Sequence, residues 1–460
     1  MKKKLKIAVV AICLFSVVAF SGGMNSYANS AQTNWSGVDR AGLVIKEGDS
    51  PIVVEGEVLT LDLQEFPKNH YGSAEDFLSY TGKVSAEYTF YNPSDYTVTA
   101  TLLFPFGKLP DYANSYDAQS DTTIPYVDTE KYDITLDGKT ADKRIRHSLD
   151  VYGAFDLSKA LERLNDEYIL DDFYKPSTTV TKYVYVVGGE NKEGVIDESK
   201  YRSATIAFDY DGGDGDTKIY FPSLSGFDVL KNGGARFSKR AKNGDEVTVY
   251  AIGKPLNEPF EFKCYEKGAG DGQKEIDGVV SLTKTQTLSF EVFALENWSE
   301  DLGVSKIDWY NAVICTFTDS SKVNPKYNFV DAAFFEDAFK FRNGFMRWYE
   351  YQIVVPPKTR LKNVVTAPIY PDINLKYNPS VCSYTYLLSP AKTWKSFGSL
   401  DIIINTPYYV SASSIDGFLK TQSGYKISLP ALPDTELTFN LSTSENPVLR
   451  NNYRRGCGIF

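Results

Sequence analysis

The sequence predicts a mainly β protein, built from two or more antiparallel β-sandwich units with short helical insertions. Runs in which apolar and polar residues alternate recur along most of the chain, and this is the period of a half-buried strand. Turn-forming residues separate these runs at short intervals, as in sandwich folds. Helical periodicity is confined to a few segments.

The clearest alternation lies in residues 84–106, VSAEYTFYNPSDYTVTATLLFPF. Alternate residues from Val84 to Phe90, and again from Tyr96 to Phe104, are apolar or aromatic, so each run predicts a strand with one buried face. Asn92-Pro93-Ser94-Asp95 has the composition of a type I turn. We therefore predict a hairpin that ends at Pro105, where a ladder donor is lost.

Further strands follow from the same pattern. Asp137-Gly138 and Asn243-Gly244 are typical two-residue hairpin turns. The remaining predicted strands occupy residues 52–62, 132–136, 180–187, 204–210, 218–221, 247–252, 348–355, 382–388, 399–405 and 437–441.

Three segments predict helices. Residues 156–173 place leucines and Ala160 on one stripe, with most of their acids away from it. Ser305 and Asp308 form a variant capping box, flanked by the hydrophobic staple Val304 and Trp309, so a helix is expected over residues 305–317. A third helix is expected within residues 331–341.

About 430 residues after the leader suggest two or three domains. We expect a signal peptide at 1–30 and an N-terminal β-sandwich region at 31–255 with the helical insertion near 156–173. A C-terminal β region is expected at 256–446 with helices near 305–341, followed by a polar tail at 447–460.

The first thirty residues have the organisation of a secretory signal peptide. Four lysines precede an apolar run that ends at Phe20, and Ala28-Asn29-Ser30 supplies the small residues of a cleavage site. Removal of the four lysines takes the formal net charge from −10 to −14. An acidic surface repels phosphates, so nucleic acid is not an expected partner, and no membrane span is expected after cleavage.

Export permits disulfides, and four cysteines would remain: Cys264, Cys315, Cys382 and Cys457. They allow three full pairings, between which the sequence does not choose. Their wide separation argues against a zinc site. Buried thiols, with at most one bridge, are the expectation.

The aspartate-rich stretch AFDYDGGDGDTKIYF offers the one candidate metal site, for calcium, at Asp209, Asp211, Asp214 and Asp216. Clustered carboxylates on a glycine-rich loop can supply the oxygen ligands that calcium prefers. The spacing differs from an EF-hand loop, and strands rather than helices flank it. A plain hairpin loop is therefore the favoured interpretation, and no other cofactor is expected.

Motifs of known enzyme classes are missing from the sequence. The two histidines, His70 and His147, lie in no catalytic motif, and we expect His147, beside Arg146, to be an exposed strand residue. Leu432-Pro433-Asp434-Thr435-Glu436 lacks the final glycine of a wall-sorting motif and predicts a turn before a strand. Two carboxylates of a glycosidase follow no local spacing rule, so that chemistry stays open.

Residues 41–63, the 84–106 stretch with its FPF end, and YTYLLSPAKTWKSFGSLDIIINTP at 384–407 resemble exported bacterial proteins of unknown function. The N-terminal part also resembles, more distantly, the VIT domain of inter-alpha-trypsin inhibitor heavy chains. The resemblance implies a secreted or surface β protein without a known activity. VIT domains commonly precede a metal-binding D-x-S-x-S sequence, but Asp319-Ser320-Ser321 continues without the last serine.

The favoured hypothesis is an exported, non-enzymatic cell-surface or extracellular protein that presents interaction surfaces to a protein or to a cell-envelope glycan. A secreted glycan hydrolase with an unrecognised carboxylate pair is the first alternative. The second is a carbohydrate-binding protein, for which Trp298 and Trp394 are the candidate platform residues because polar neighbours flank them. The polar C-terminal tail favours release over membrane anchoring.

Overall fold

The computed structural model describes residues 31–36, 44–45, 50–66, 82–107, 132–149, 157–188, 196–197, 199–200, 203–213, 215–222, 224–231, 234–270, 272–323, 326, 328–332 and 335–450. Within these residues the fold is mainly β, with several separate and mainly antiparallel sheets, as predicted. The predicted signal peptide, His70, Asp214 and Cys457 lie outside the described residues.

The strands follow one another along the whole described chain. They are β1 Ala31–Ser36, β2 Val44–Ile45, β3 Val53–Asp62, β4 Lys83–Tyr91, β5 Val98–Gly107, β6 Ile134–Leu136, β7 Lys139–Thr140, β8 Lys143–Ser148, β9 Thr179–Val187, β10 Ala204–Tyr210, β11 Thr217–Tyr220, β12 Gly226–Val229, β13 Ala235–Ala241, β14 Glu246–Gly253, β15 Lys263–Tyr265, β16 Glu275–Ile276, β17 Val280–Ser289, β18 Phe329–Val330, β19 Met346–Val355, β20 Arg360–Pro368, β21 Asp372–Asn374, β22 Tyr377–Asn378, β23 Val381–Tyr386, β24 Phe397–Asn405, β25 Tyr409–Ser413, β26 Leu419–Lys420, β27 Gly424–Leu429, β28 Leu437–Ser442 and β29 Val448–Leu449.

Short helices interrupt the strands. The α-helices are α1 Leu157–Arg163, α2 Phe290–Ala294, α3 Lys306–Val323 and α4 Ala338–Asn343, and 3₁₀ turns span Glu300–Leu302 and Ser389–Thr393. No helix of the described residues combines the length and the apolar content needed to cross a membrane.

Strands from both ends of the chain build the first unit. One sheet has the order β2-β1-β5-β19-β8, and a second has the order β26-β27-β24-β3-β4-β20-β6-β7. Their buried faces, with those of β23 and β28, share one hydrophobic core that includes Leu59, Phe90, Leu102, Ile353 and Ile402. This core is the largest source of apolar burial in the first unit.

The second unit is inserted between β8 and β19, which are neighbours in the first sheet. It has three layers. A core that includes Phe208, Phe237 and Val249 lies between the sheet β12-β13-β10-β15-β16 and the sheet β17-β9-β14-β11-β18. A second core, including Trp309 and Phe317 of α3, covers the opposite face of the latter sheet.

The division expected between residues 255 and 256 does not follow these sheets. The expected boundary places β3 and β5 in the N-terminal region and places β24 and β19 in the C-terminal region. In the structure, however, β3 pairs in parallel with β24, and β5 pairs with β19. The close approach of β3 and β24 requires glycine, because a Cβ at Gly398 would lie 2.0 Å from the carbonyl oxygen of Glu55. Pairing between distant segments cannot be read from local pattern.

The predicted hairpin at residues 84–106 is wrong in its pairing. Both strands form with the predicted buried faces, but β4 pairs with β3 and β20, whereas β5 pairs with β1 and β19. The chain therefore crosses from one sheet to the other. Buried Asn92 stabilises the crossing by donating to the carbonyls of Tyr96 and Val355, at 2.7 and 2.9 Å. Pro105 lies within β5, beside a register shift, rather than at its end.

The Asp-Gly turn is confirmed, whereas the Asn-Gly turn is not a hairpin. Asp137 and Gly138 have φ of 48° and 78° and join the paired strands β6 and β7. Asn243-Gly244 joins β13 to β14, which lie in different sheets. The Asn243 amide exchanges hydrogen bonds with the backbone of Ile196 instead.

The helices are only partly as predicted. The Ser305 cap is confirmed, since its hydroxyl accepts a hydrogen bond from the Asp308 amide at 3.0 Å, and α3 continues to Val323. The first helix ends at Arg163, well before residue 173, and the backbone of Asn165, Glu167 and Ile169 bonds to side chains of β8 and α3. The third begins at Ala338, later than expected.

Two of the cysteines are confirmed as buried thiols. Burial raises the pKa of Cys264 to about 11 and that of Cys382 to about 12, so neither forms a thiolate readily near neutral pH.

Candidate functional site

The aspartate loop links two sheets of the inserted unit and is not a hairpin, because β10 and β11 belong to different sheets. Asp209 is engaged by the Arg236 guanidinium in a two-bond fork of 2.6 and 2.8 Å. Asp211 accepts a hydrogen bond from the amide of Gly213. Asp214 lies outside the described residues, and Asp216 directly precedes β11. Within the described part of the chain, no three His, Cys, Asp or Glu residues are grouped to hold a metal ion.

The two candidate tryptophans do not form an exposed platform. Trp394 is 5% exposed and stacks on Phe90 in the core of the first unit, with ring centroids 4.9 Å apart. Trp298 is half-buried, and its indole N–H donates to the carbonyl of Val304. The polar neighbours that suggested exposure in the sequence therefore do not reflect where the rings lie.

A buried charge cluster lies where the two units meet. Arg146 of β8 donates to Asp308 of α3 through Nε and Nη2, at 3.1 and 3.0 Å from Oδ1. It also donates to Glu350 of β19 at 2.8 Å and to the carbonyl of Asn165 at 2.9 Å. These bonds join β8, β19, α3 and the segment after α1. Arg146 itself is 4% exposed.

Neighbouring bonds extend this cluster towards the surface. Arg144 donates to Glu350 at 2.6 Å and to Asp166 at 2.8 Å. Asn311 of α3 donates to the carbonyl of Glu167 and accepts from the amide of Ile169. These contacts explain why the helix predicted to reach residue 173 ends early. The Asp166 carboxylate and the backbone of residues 165–169 take part in tertiary bonds instead of continuing the helix.

His147 is buried beside this cluster, not exposed as the sequence suggested. It is 1% exposed, and its amide donates to Asp308 at 2.9 Å. Burial lowers the pKa of His147 to about 3, and the positive charges of Arg347, Arg342 and Arg146 act in the same direction. Burial raises the pKa of Asp308, against the opposing effect of Arg146.

The cluster is suited to fixing the two units together rather than to turning over a substrate. Its carboxylates are bonded to guanidinium groups and amides, and its imidazole is neutral and enclosed near pH 7. Removing the side chain of Arg146 or of Asp308 would leave the other charge buried with its compensation lost or reduced. We assign the cluster a structural role.

The outer edge of β17 is the candidate interaction surface. β17 is an edge strand of ten residues, VSLTKTQTLS, that pairs only with β9 among the described residues. Its central residues are exposed, and the nearby apolar side chains of Val279, Leu282 and Val292 are exposed as well. Natural edges are usually shortened, charged or interrupted by proline. β17 contains one charge, Lys284, and no proline.

A hydrogen bond at the C-terminal end of β17 shows which of its residues direct their backbone groups towards β9 and which direct them outward. The amide of Phe290 donates to the carbonyl of Thr178, so this position faces β9. Because the direction alternates in an antiparallel ladder, Ser289, Thr287 and Thr285 direct their N–H and C=O groups away from β9. A bulge at Thr283 interrupts the alternation.

The local sequence predicts neither the edge strand β17 nor the buried charge cluster. The sequence of β17 alternates polar and apolar residues too weakly to predict a half-buried strand, although its threonines favour extended structure. Arg146 and Asp308 lie more than 160 positions apart, and no local spacing joins them.

Comparisons with known proteins do not assign this chain to a family. No known protein family and no curated protein matches the chain. The chain is similar to a solved structure from Legionella pneumophila, named a "putative nutrient binding protein", with 9% identity and a TM-score of 0.31 over 91% of this chain and 71% of that one. Similarity at this level does not establish a shared fold.

Proposed function

We propose that this chain is a non-enzymatic protein that acts outside the cell and binds an extended polypeptide segment along the outer edge of β17. The observation that carries the proposal is the combination of length, exposure and composition in that strand. An added strand would satisfy the outward N–H and C=O groups of Thr285, Thr287 and Ser289. Specificity would come from the side chains beside them.

Two observations favour this proposal over the alternatives. Trp394, a candidate sugar platform, contributes to the core. Acids that could have formed a catalytic pair in the 156–173 segment are bonded within the protein: Asp166 to Arg144, and Asp171 to the amides of Phe173 and Tyr174.

Peptide selection against the exported protein tests the binding site. A random peptide library is selected on the wild type, and each enriched peptide is then measured against Thr285→Pro and Thr285→Val. Proline removes the outward amide of Thr285 without removing a bond to β9, whereas valine keeps that amide. We expect binding to be lost with proline and retained with valine.

Enriched peptides that bind all three proteins equally would contradict the proposal, and so would a selection that enriches none. A thermal melt of the proline variant establishes that its loss of binding occurs in a folded protein.

Export has its own test. The charged and apolar segments of residues 1–30 motivate cleavage after Ser30. N-terminal sequencing of protein from the medium is expected to begin near Ala31. Recovery of the polypeptide inside the cell with Met1 intact would contradict this part of the proposal.

A further inference from the structure

The edge strand β17 contains an almost palindromic sequence. From Ser281 to Ser289 it reads SLTKTQTLS, and its two halves mirror each other about Thr285. Serine, leucine and threonine recur at mirrored positions. The single mismatch places Lys284 opposite Gln286.

An antiparallel pair of identical strands with its two-fold axis at one residue brings mirrored positions opposite each other. We propose that two copies of this chain associate through β17, antiparallel and centred on Thr285. This inference rests on the proposed function, because it names the added strand as the β17 of a second copy. Such an interface is isologous, as in the commonest class of homo-oligomer.

The centre at Thr285 agrees with the backbone geometry. Thr285 directs its N–H and C=O away from β9, so two copies can exchange both bonds at the axis.

The position of Lys284, the charged residue of β17, is also compatible with a register centred on Thr285. The lysine of each copy lies opposite an uncharged glutamine, so the two Lys284 ammonium groups do not face each other. A register centred on Lys284 would place them directly opposite. The register at Thr285 therefore avoids like-charge repulsion on the only charged position of the strand.

Residues 287–289 of one copy would face residues 281–283 of the other, so the bulge at Thr283 limits regular pairing to residues 284–286 of each copy. Such an interface is smaller than that of a stable dimer, and we expect a dissociation constant of roughly 1 µM to 1 mM. The net charge of the chain also opposes association, so added salt should favour the dimer.

Sedimentation velocity of the exported protein over a range of concentrations tests association, with charge variants at Gln286. Gln286→Glu places a carboxylate opposite the partner's Lys284 twice in the dimer, and should tighten association by about 2- to 30-fold. Gln286→Lys should weaken it by a similar factor, and Thr285→Pro should abolish it. Thermal melts at low concentration report any effect on the monomer, in which residue 286 also neighbours Lys182.

Oxidative crosslinking tests the register. The Thr285→Cys thiols would meet across the axis on Cα atoms about 5.5 Å apart, within disulfide reach. In this register residue 287 of one copy faces residue 283 of the other. The two Thr287→Cys residues would therefore be four residues, or about 13 Å, apart along the strands and should not crosslink. Dimers linked by Thr285→Cys alone support the inference.

Preferential crosslinking through Thr287→Cys, or a monomer at all concentrations, overturns the inference. If the monomer nevertheless binds selected peptides in a Thr285→Pro-sensitive manner, the proposed function stands and only the self-association fails. If neither association nor peptide binding depends on β17, both proposals fail.

Discussion

The guanidinium group of Arg146 and the carboxylate of Asp308 meet in the interior with Nη2 and Oδ1 3.0 Å apart, and this pair joins the two units of the protein. Arg146 belongs to β8, the last strand before the inserted unit, and Asp308 belongs to the first turn of α3 within it. Both side chains are almost completely excluded from solvent. The pair thus fixes the inserted unit near the point where the chain enters it.

Breaking this pair should destabilise the protein strongly. Asp308→Ala leaves the guanidinium of Arg146 buried with part of its charge uncompensated, and should lower the free energy of unfolding by about 3–5 kcal/mol. Urea unfolding followed by circular dichroism measures the change.

A matched control is the exposed pair of Glu55 and Arg360, which has similar two-bond geometry at 2.6 and 2.8 Å. Glu55→Ala should change stability little, because solvent screens the pair. Equal losses for the two variants would show that burial does not set the strength of the Arg146 pair.

His147 should make stability depend on pH. Its folded-state pKa of about 3 lies below the unfolded value near 6.5, so the unfolded state binds the proton first as pH falls. The contribution is fully present above pH 6.5 and is lost as pH falls towards 3. Between pH 6.5 and 5 the loss should be about 2 kcal/mol.

Urea unfolding of the wild type and of His147→Gln at pH 7.5 and 5 isolates this contribution, since other titrating groups are common to both. We expect the variant to lose about 2 kcal/mol less over this range. Parallel losses in the two proteins would exclude His147 as the source.

The contact between β3 and β24 should not tolerate a side chain at Gly398. A Cβ there would overlap the carbonyl of Glu55, so Gly398→Ala should destabilise the protein by roughly 1–3 kcal/mol. Gly268→Ala is the control, because its nearest neighbour, Gln273, would lie 3.9 Å away. Thermal melts compare the two, and equal melting temperatures would contradict the predicted overlap.

Calcium should leave the melting temperature unchanged. Asp209 is already bonded to Arg236, so the loop would have to break a two-bond ion pair to use its carboxylate as a ligand. A ligand that binds only the folded state raises the melting temperature by mass action. A shift that a chelator reverses, and that Asp211→Asn removes, would instead establish the calcium site.

Local pattern was sufficient to predict many of the strands and their buried faces. Val84, Ala86, Tyr88 and Phe90 lie inside, as their alternation indicates, and Ala204–Tyr210 begins and ends where predicted. Alternation works because successive strand side chains point to opposite faces, whichever strand lies beside them. The Ser305 cap was predictable for a similar reason, since a cap involves only the first turn of its helix.

Tertiary structure alone decided which strands pair. Alternation is the same for two strands that share a ladder and for two that face each other across a core, so β4 and β5 were wrongly paired. Arg146 and Asp308 likewise meet only because the inserted unit folds back onto β8. The sequence determined the faces of the strands through backbone geometry, whereas pairing and buried charges depended on contacts between residues far apart in the chain.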